Sequence, residues 1–138
     1  MKYAIVSGRK ASASSTLSIS HKDAAKFCRV INRKKFSYAK KTLDDISKKI
    51  VTLDGKTYKS INDEMIRMLK EVENNARKKG LEPDNMFVFI STHKGPTMHR
   101  NRRRWRKFGS QMKTCHVQLV LSDNDGFGKK VRERGNKE

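Results

Sequence analysis

Residues 99–109 read HRNRRRWRKFG: six basic side chains, one tryptophan, one phenylalanine and no acid. The chemistry such a stretch supports is recognition of anions. A guanidinium is a planar fork that bonds a phosphate through two parallel N–H groups and stacks on flat rings. Across 94–116 stand Arg100, Arg102, Arg103, Arg104 and Arg106 with Lys94, Lys107 and Lys113, and no Asp or Glu. Trp105 and Phe108 lie among them. Exposed aromatics between arginines suit stacking on unpaired bases, the way RNA is recognised. A merely solvated surface mixes both signs of charge, and this stretch does not.

Catalytic chemistry finds little support. The histidines are His21, His93, His99 and His116, and none is paired with another at metal-ligand spacing. Cys115 and His116 are adjacent, so on a strand they point to opposite faces. Cys28 and Cys115 stand far apart with no CxxC neighbour, which reads as two reduced, inert thiols. Asp44-Asp45 and Asp63-Glu64 are explained by helix-surface or capping roles, and no nucleophile-elbow, Walker or dinucleotide pattern occurs. The expectation is a protein that is not an enzyme and needs no cofactor.

The excess charge is segregated. The chain of 138 residues carries 33 basic and 14 acidic side chains, a formal net charge of +19. Residues 1–41 hold 11 basic and 1 acidic, residues 42–93 hold 9 of each, residues 94–116 hold 8 and none, and residues 117–138 hold 5 and 4. The middle is an ordinary globular surface, and two separate segments carry nearly all the excess. A pI near 10.3 points to a polyanionic partner. The apolar fraction, 35%, is low for a chain fully packed on its own core. The apolar run near the N-terminus is too short for a signal-peptide core, and no stretch approaches a membrane span, which implies a cytoplasmic or nuclear location.

The elements that must position the basic run follow from periodicity. Tyr3–Val6 reads as a short strand, and 7–20 as extended or loop. Ser20 is the expected N-cap of a first helix with Asp23 in its first turn, and Ala24, Phe27, Cys28 and Ile31 fall on one face. A second helix is expected over about 37–49, with Ala39, Leu43, Ile46 and Ile50 inward. LDGK at 53–56 signals a turn. A third helix is expected from near Ser60, capped by Ser60 and Asp63, with Ile61, Met65, Leu69, Val72 and Ala76 inward and Gly80 ending it. MFVFIS at 86–91 is a buried-type strand, and HVQLVLS at 116–122 a half-buried one with Val117, Leu119 and Leu121 on one side. If these two strands pair, residues 92–115 are far too long for an ordinary hairpin loop. A bare two-stranded ribbon is marginal in water, and eight like charges repel. Such an arm orders when phosphates supply counter-charge.

The motifs, taken in order, resemble those of the universal large-subunit ribosomal protein family L-twenty-two, protein seventeen in the eukaryotic numbering. LSISHKDAAKFCRVI at 17–31 is similar to the family's first helix start, and Ala39 and Leu43 match the second helix. Asn75, Ala76, Lys79, Gly80, Leu81 and Asp84 match the end of the third, Gly95-Pro96-Thr97 the step after the apolar strand, and Cys115-His116-Val117 the closing strand. The likeness spans roughly residues 4–123 and looks more archaeal or eukaryotic than bacterial. It departs at Ser18, usually basic, at His21, proline in bacterial members, in VTLDGKTYKS, which lacks the family's basic motif, and in a short 109–115 segment.

The resemblance implies an α+β fold, three helices packed on a three-stranded antiparallel sheet, with a long protruding β-hairpin. It implies one domain over 1–125, including a hairpin about 86–122; GFGKKVRERGNKE at 126–138 reads by itself as a flexible basic tail. Arms of ~12 residues at about 3.3 Å each would reach on the order of 40 Å. The implied function is a structural constituent of the large subunit that binds ribosomal RNA and lines the nascent-peptide exit tunnel with its hairpin. The implied partners are ribosomal RNA, neighbouring ribosomal proteins and the nascent polypeptide. The implied location is the cytoplasmic ribosome, with nucleolar assembly in a eukaryote. The RNA-binding residues expected are Lys94, Arg100, Arg102, Arg103, Arg104, Trp105, Arg106, Lys107 and Lys113 on the arm, and Arg9, Lys10, Lys22, Lys34 and Lys35 beside the first helix. The alternative is a free-standing single-stranded RNA-binding or RNA-chaperone protein using the same loop. A DNA-associated basic protein ranks last, because no recognition helix with clustered base-reading residues is evident.

Overall fold

The computed structural model describes residues 9–99 and 110–123. Alternation builds the first element. β1 (Lys10–Leu17) sends Ala11, Ala13 and Leu17 inward and Ser12, Ser14 and Thr16 outward. The segment read as extended or loop is thus a full strand. Two of its inward side chains, Ala11 and Ala13, are small, and α3 lies against this strand.

Three helices follow the expected spacings with shifted ends. α1 (His21–Ile31) buries Ala24, Phe27, Cys28 and Ile31. Ser20 is its N-cap residue, but its hydroxyl makes no capping bond. α2 (Phe36–Ser47) buries Phe36, Ala39, Leu43 and Ile46. The expected inward Ile50 is 69% exposed. Lys49 turns to φ 61°, with Lys49 N–H bonding Ile46 O and Ile50 N–H bonding Asp45 O. That is a Schellman stop with lysine in the left-handed position, and it throws Ile50 off the helix face. α3 (Lys59–Lys78) buries Ile61, Met65, Leu69, Val72 and Ala76. It starts from Tyr58, not from a Ser60 cap: Tyr58 sits at φ 39°, its ring edge-on to Phe27 at 6.1 Å between centroids. A tertiary contact sets that start. Gly80 at φ 68° ends the helix as expected, and Leu81 N–H closes on Ala76 O.

After a 3-10 turn at Pro83–Asn85 come β3 (Phe87–Lys94), β4 (Met98–His99), β5 (Gln111–Met112) and β6 (Cys115–Ser122). The main sheet is antiparallel, in the order β1-β6-β3-β2. The expected class holds, three helices on an antiparallel sheet, but the sheet gains a fourth strand. This is β2 (Lys34–Lys35), only two residues long. Arg33 N–H bonds Val88 O at 2.7 Å and Phe36 N–H bonds Met86 O at 2.9 Å, stitching the α1–α2 connection to the edge of β3. A lysine pair carries no strand signal, so local pattern could not announce it.

Cross-strand register defines the core. Ala11, Leu121 and Val88 form one row, and Ala13, Leu119 and Ile90 the next, all buried. α3 lies against β1 and β6, α1 against β3, and α2 against α3. Beyond Lys94 and Cys115 the two strands continue as a ribbon in which Met98 pairs with Met112. No helix among the described residues is long and apolar enough to cross a membrane. The expected strand at 3–6, the arginine run at 100–107 and the tail at 126–138 lie outside the described residues.

Candidate nucleic-acid interface

The base of the hairpin is built by one residue of mismatch. Between the last sheet pair, Lys94 and Cys115, and the first ribbon pair, Met98 and Met112, one strand has Gly95, Pro96 and Thr97 and the other only Lys113 and Thr114. Three residues facing two make a bulge, which bends a ribbon and re-aims what lies beyond it. Pro96 has no N–H to give a ladder, so it belongs at such a break. The joint is closely made. Gly95 N–H bonds Thr114 O at 3.0 Å, and Thr114 Oγ1 donates to Pro96 O. A Cβ on Gly95 would collide with Thr114 Oγ1 and sit 3.1 Å from the Thr114 carbonyl carbon. Glycine is required there by close approach rather than by its φ.

This joint lies beside the start of α1. Ser20, His21 and Lys22 from the helix start line a cavity of about 280 Å³ together with Lys94, Gln111, Lys113 and Thr114 from the hairpin. Lys22, Lys94 and Lys113 are exposed. No acid lines the cavity. Among the described residues no carboxylate pairs with any of these three lysines; Asp23, the nearest acid in sequence to Lys22, is turned to Lys26 at 4.0 Å. The middle of the chain behaves differently. Glu73 there holds Arg77 at 2.6 Å and Lys40 at 3.5 Å. Asp54 holds Lys26 at 2.6 Å, a contact that lowers the Asp54 pKa and raises that of Lys26.

The remaining expected cations sit at the other end of the sheet. Lys10, Ser122, Phe87 and Lys35 form one cross-strand row, with Lys34 on the next row at the β2 edge and Arg9 just before β1. Seven residue steps separate that row from the hairpin base, roughly 23 Å along the strand. Lys34 Nζ lies 5.8 Å from the Tyr38 ring centroid. The five residues expected beside the first helix therefore do not form one patch: Lys22 joins the hairpin, and Arg9, Lys10, Lys34 and Lys35 stand apart from it. Arg100, Arg102, Arg103, Arg104, Trp105, Arg106 and Lys107 lie outside the described residues.

The side chains that could do other chemistry are occupied structurally. Burial pushes the Cys28 thiol up to about 12, and burial also raises that of Cys115. Cys115 points inward and His116 outward, as the strand alternation requires, with His116 Nδ1 2.6 Å from Thr16 Oγ1. Among the described residues no group of three or more His, Cys, Asp or Glu is placed to hold a metal ion. Sequence reasoning did not assign Ser20, His21, Gln111 or Thr114 to an interface. They are ordinary polar residues about 90 positions apart in two groups, and only the packing of α1 along β3 unites them.

Comparison with known proteins gives a family. The sequence profile described as ribosomal protein L22p/L17e matches residues 12–122. The chain is similar to large ribosomal subunit protein uL22 of the archaeon Methanococcoides burtonii, 26% identical over 129 residues, covering 79% of this chain and 85% of that protein. It is also similar to large ribosomal subunit protein uL22 of Staphylothermus marinus, 38% identical over 68 residues, covering 44% of this chain and 41% of that protein.

Proposed function

The chain belongs to the L22p/L17e family of ribosomal proteins, and from that premise we propose that it is a large-subunit constituent that binds ribosomal RNA and lines the nascent-peptide exit tunnel with its arginine-rich hairpin. The family is one of structural ribosomal proteins, not of enzymes. The reading rests on one observation above all: cations unpaired among the described residues converge at the hairpin base, and the sequence beyond them adds Arg100 to Lys107 with no acid.

The division of labour follows from chemistry. Lys94 and Lys113 begin the basic arm, and Lys22 faces them from α1. The arginines beyond them present forks to phosphates and bases. Trp105 supplies a stacking surface for an unpaired base. Arg9, Lys10, Lys34 and Lys35 form a second, distal contact with RNA. Partners are large-subunit ribosomal RNA, neighbouring ribosomal proteins and, at the arm's tip, the nascent chain. Assembly takes place in the nucleolus where the host cell has one.

A photo-crosslinkable side chain at position 105 tests the arm directly. In ribosomes stalled on a radiolabelled nascent chain, crosslinks to ribosomal RNA and to that chain are expected. Crosslinks to neither, from protein that is present in the subunit, would remove the arm from the tunnel.

A further inference from the structure

We propose that the cavity between the start of α1 and the hairpin base is a seat for one backbone phosphate of RNA, so that a single strand ties the arm to the globular domain. This deepens the ribosomal reading and rests on it. Three observations carry the proposal. Lys22, Lys94 and Lys113 reach the cavity from three separate segments, α1, the end of β3 and the β5–β6 step. No acid lines it, and among the described residues none pairs with these lysines, whereas Arg77 and Lys40 are held by the mid-chain Glu73. The backbone beside Lys94 and Lys113 is closely joined by the Gly95–Thr114 approach and the Thr114–Pro96 bond, so these two lysines spring from a defined joint and share one space with Lys22.

The details suit phosphate. About 280 Å³ far exceeds the space one water needs. Ser20 and Gln111 add neutral hydrogen-bonding groups to the lining. The Ser20 hydroxyl is not spent on capping α1, and Ser20, His21 and Lys22 line the cavity, so the positive end of the helix dipole adjoins it. A lysine is a mobile point charge, suited to an oxygen-rich tetrahedral anion rather than to base edges. Because the seat straddles the bulge, its occupancy fixes the angle of the arm relative to α1.

The test uses the purified full chain and deproteinised large-subunit ribosomal RNA, with affinity followed by filter binding over a potassium chloride series. For wild type, log affinity falls linearly with log salt, by about 0.7–0.9 per phosphate neutralised. Lys22→Ala, Lys94→Ala and Lys113→Ala together should reduce that slope by about one phosphate's worth. The combined Lys→Arg variant should keep the wild-type slope. An unchanged slope in the alanine variant overturns the seat, and so does a loss worth three phosphates, which would mean three separate contacts. In a parallel titration with inorganic phosphate at constant ionic strength, no saturable binding at millimolar concentration is expected. Tight binding of free phosphate, abolished by the alanine variant, would assign the cavity to a small anion and overturn the proposal. Failure of wild type itself to bind the RNA would instead refute the ribosomal reading, while wild-type binding with an unaltered variant refutes only the seat. Circular dichroism on each variant confirms the fold, since all three lysines are exposed.

Discussion

Gly95→Ala should damage the hairpin joint, and the damage should depend on Thr114. The new methyl group would collide with Thr114 Oγ1, and Thr114 C and Cβ at 3.1 and 3.2 Å would crowd it further. Thr114 is 8% exposed and β-branched, so it has few rotamers to retreat into. Moving Oγ1 also breaks its bond to Pro96 O. That bond is worth about 1 kcal/mol net, and overpacking adds about 1–2 kcal/mol, for a total of about 2–3 kcal/mol. Thr114→Ala alone loses the hydrogen bond and should cost about 1 kcal/mol. The double variant keeps that loss but removes the worst collision, so it should be more stable than the sum of the singles by about 1 kcal/mol or more. Urea unfolding followed by circular dichroism measures this. With a slope of about 1–3 kcal/mol per molar, Gly95→Ala should lower the midpoint by roughly 1 M. A midpoint within error of wild type, or strict additivity in the double variant, would refute the close-approach argument.

Three further outcomes are expected. Asp54→Asn should lower the urea midpoint at neutral pH by removing the contact with Lys26. The folded Asp54 pKa is depressed, so its contribution is present above the usual carboxylate value, about 3.9, and lost as pH falls through the lowered one. The difference between variant and wild type should therefore vanish in acid, and shrink in high salt, because both groups are exposed. Cys28, with its thiol raised to about 12, should resist iodoacetamide in the native protein, since at about pH 8 only about one thiol in ten thousand is ionised; mass spectrometry should show rapid alkylation only in urea, and equal rates in both states would contradict its burial. Replacing Arg102, Arg103 and Arg104 by alanine should leave the unfolding free energy within about 0.5 kcal/mol of wild type, because the run is charged and carries none of the apolar periodicity that marks core positions; a larger loss would mean the run contributes to the stability of the domain.

What could be read from sequence was whatever depends on near neighbours. The inward positions of α1 and α3 followed from helical spacing because each helix buries one stripe. Ile50 misled because it continues the Ala39–Leu43–Ile46 stripe in number, while Lys49 ends the helix in space. Ser60 misled for the opposite reason: its capping pattern is locally sound, but the contact of Tyr58 with Phe27 decides where α3 begins. β1 was illegible because alternating Ala and Ser resembles a loop until α3 is laid against it, with Asn75 donating to Ser12 O and Lys79 to Lys10 O. The charge of the interface was plain in the sequence. Its convergence was not, since Lys22 and Lys113 come to one cavity only through the packing of α1 on β3.

The central claim is that this protein is a resident of the large ribosomal subunit. Sucrose-gradient sedimentation of cell lysate after a high-salt wash tests it most directly, with the protein quantified against large-subunit ribosomal RNA across the fractions. Salt-resistant co-migration with the large subunit at one copy per subunit is expected. Release into the light fractions would contradict it, and would make the arginine run the tool of a free RNA-binding protein.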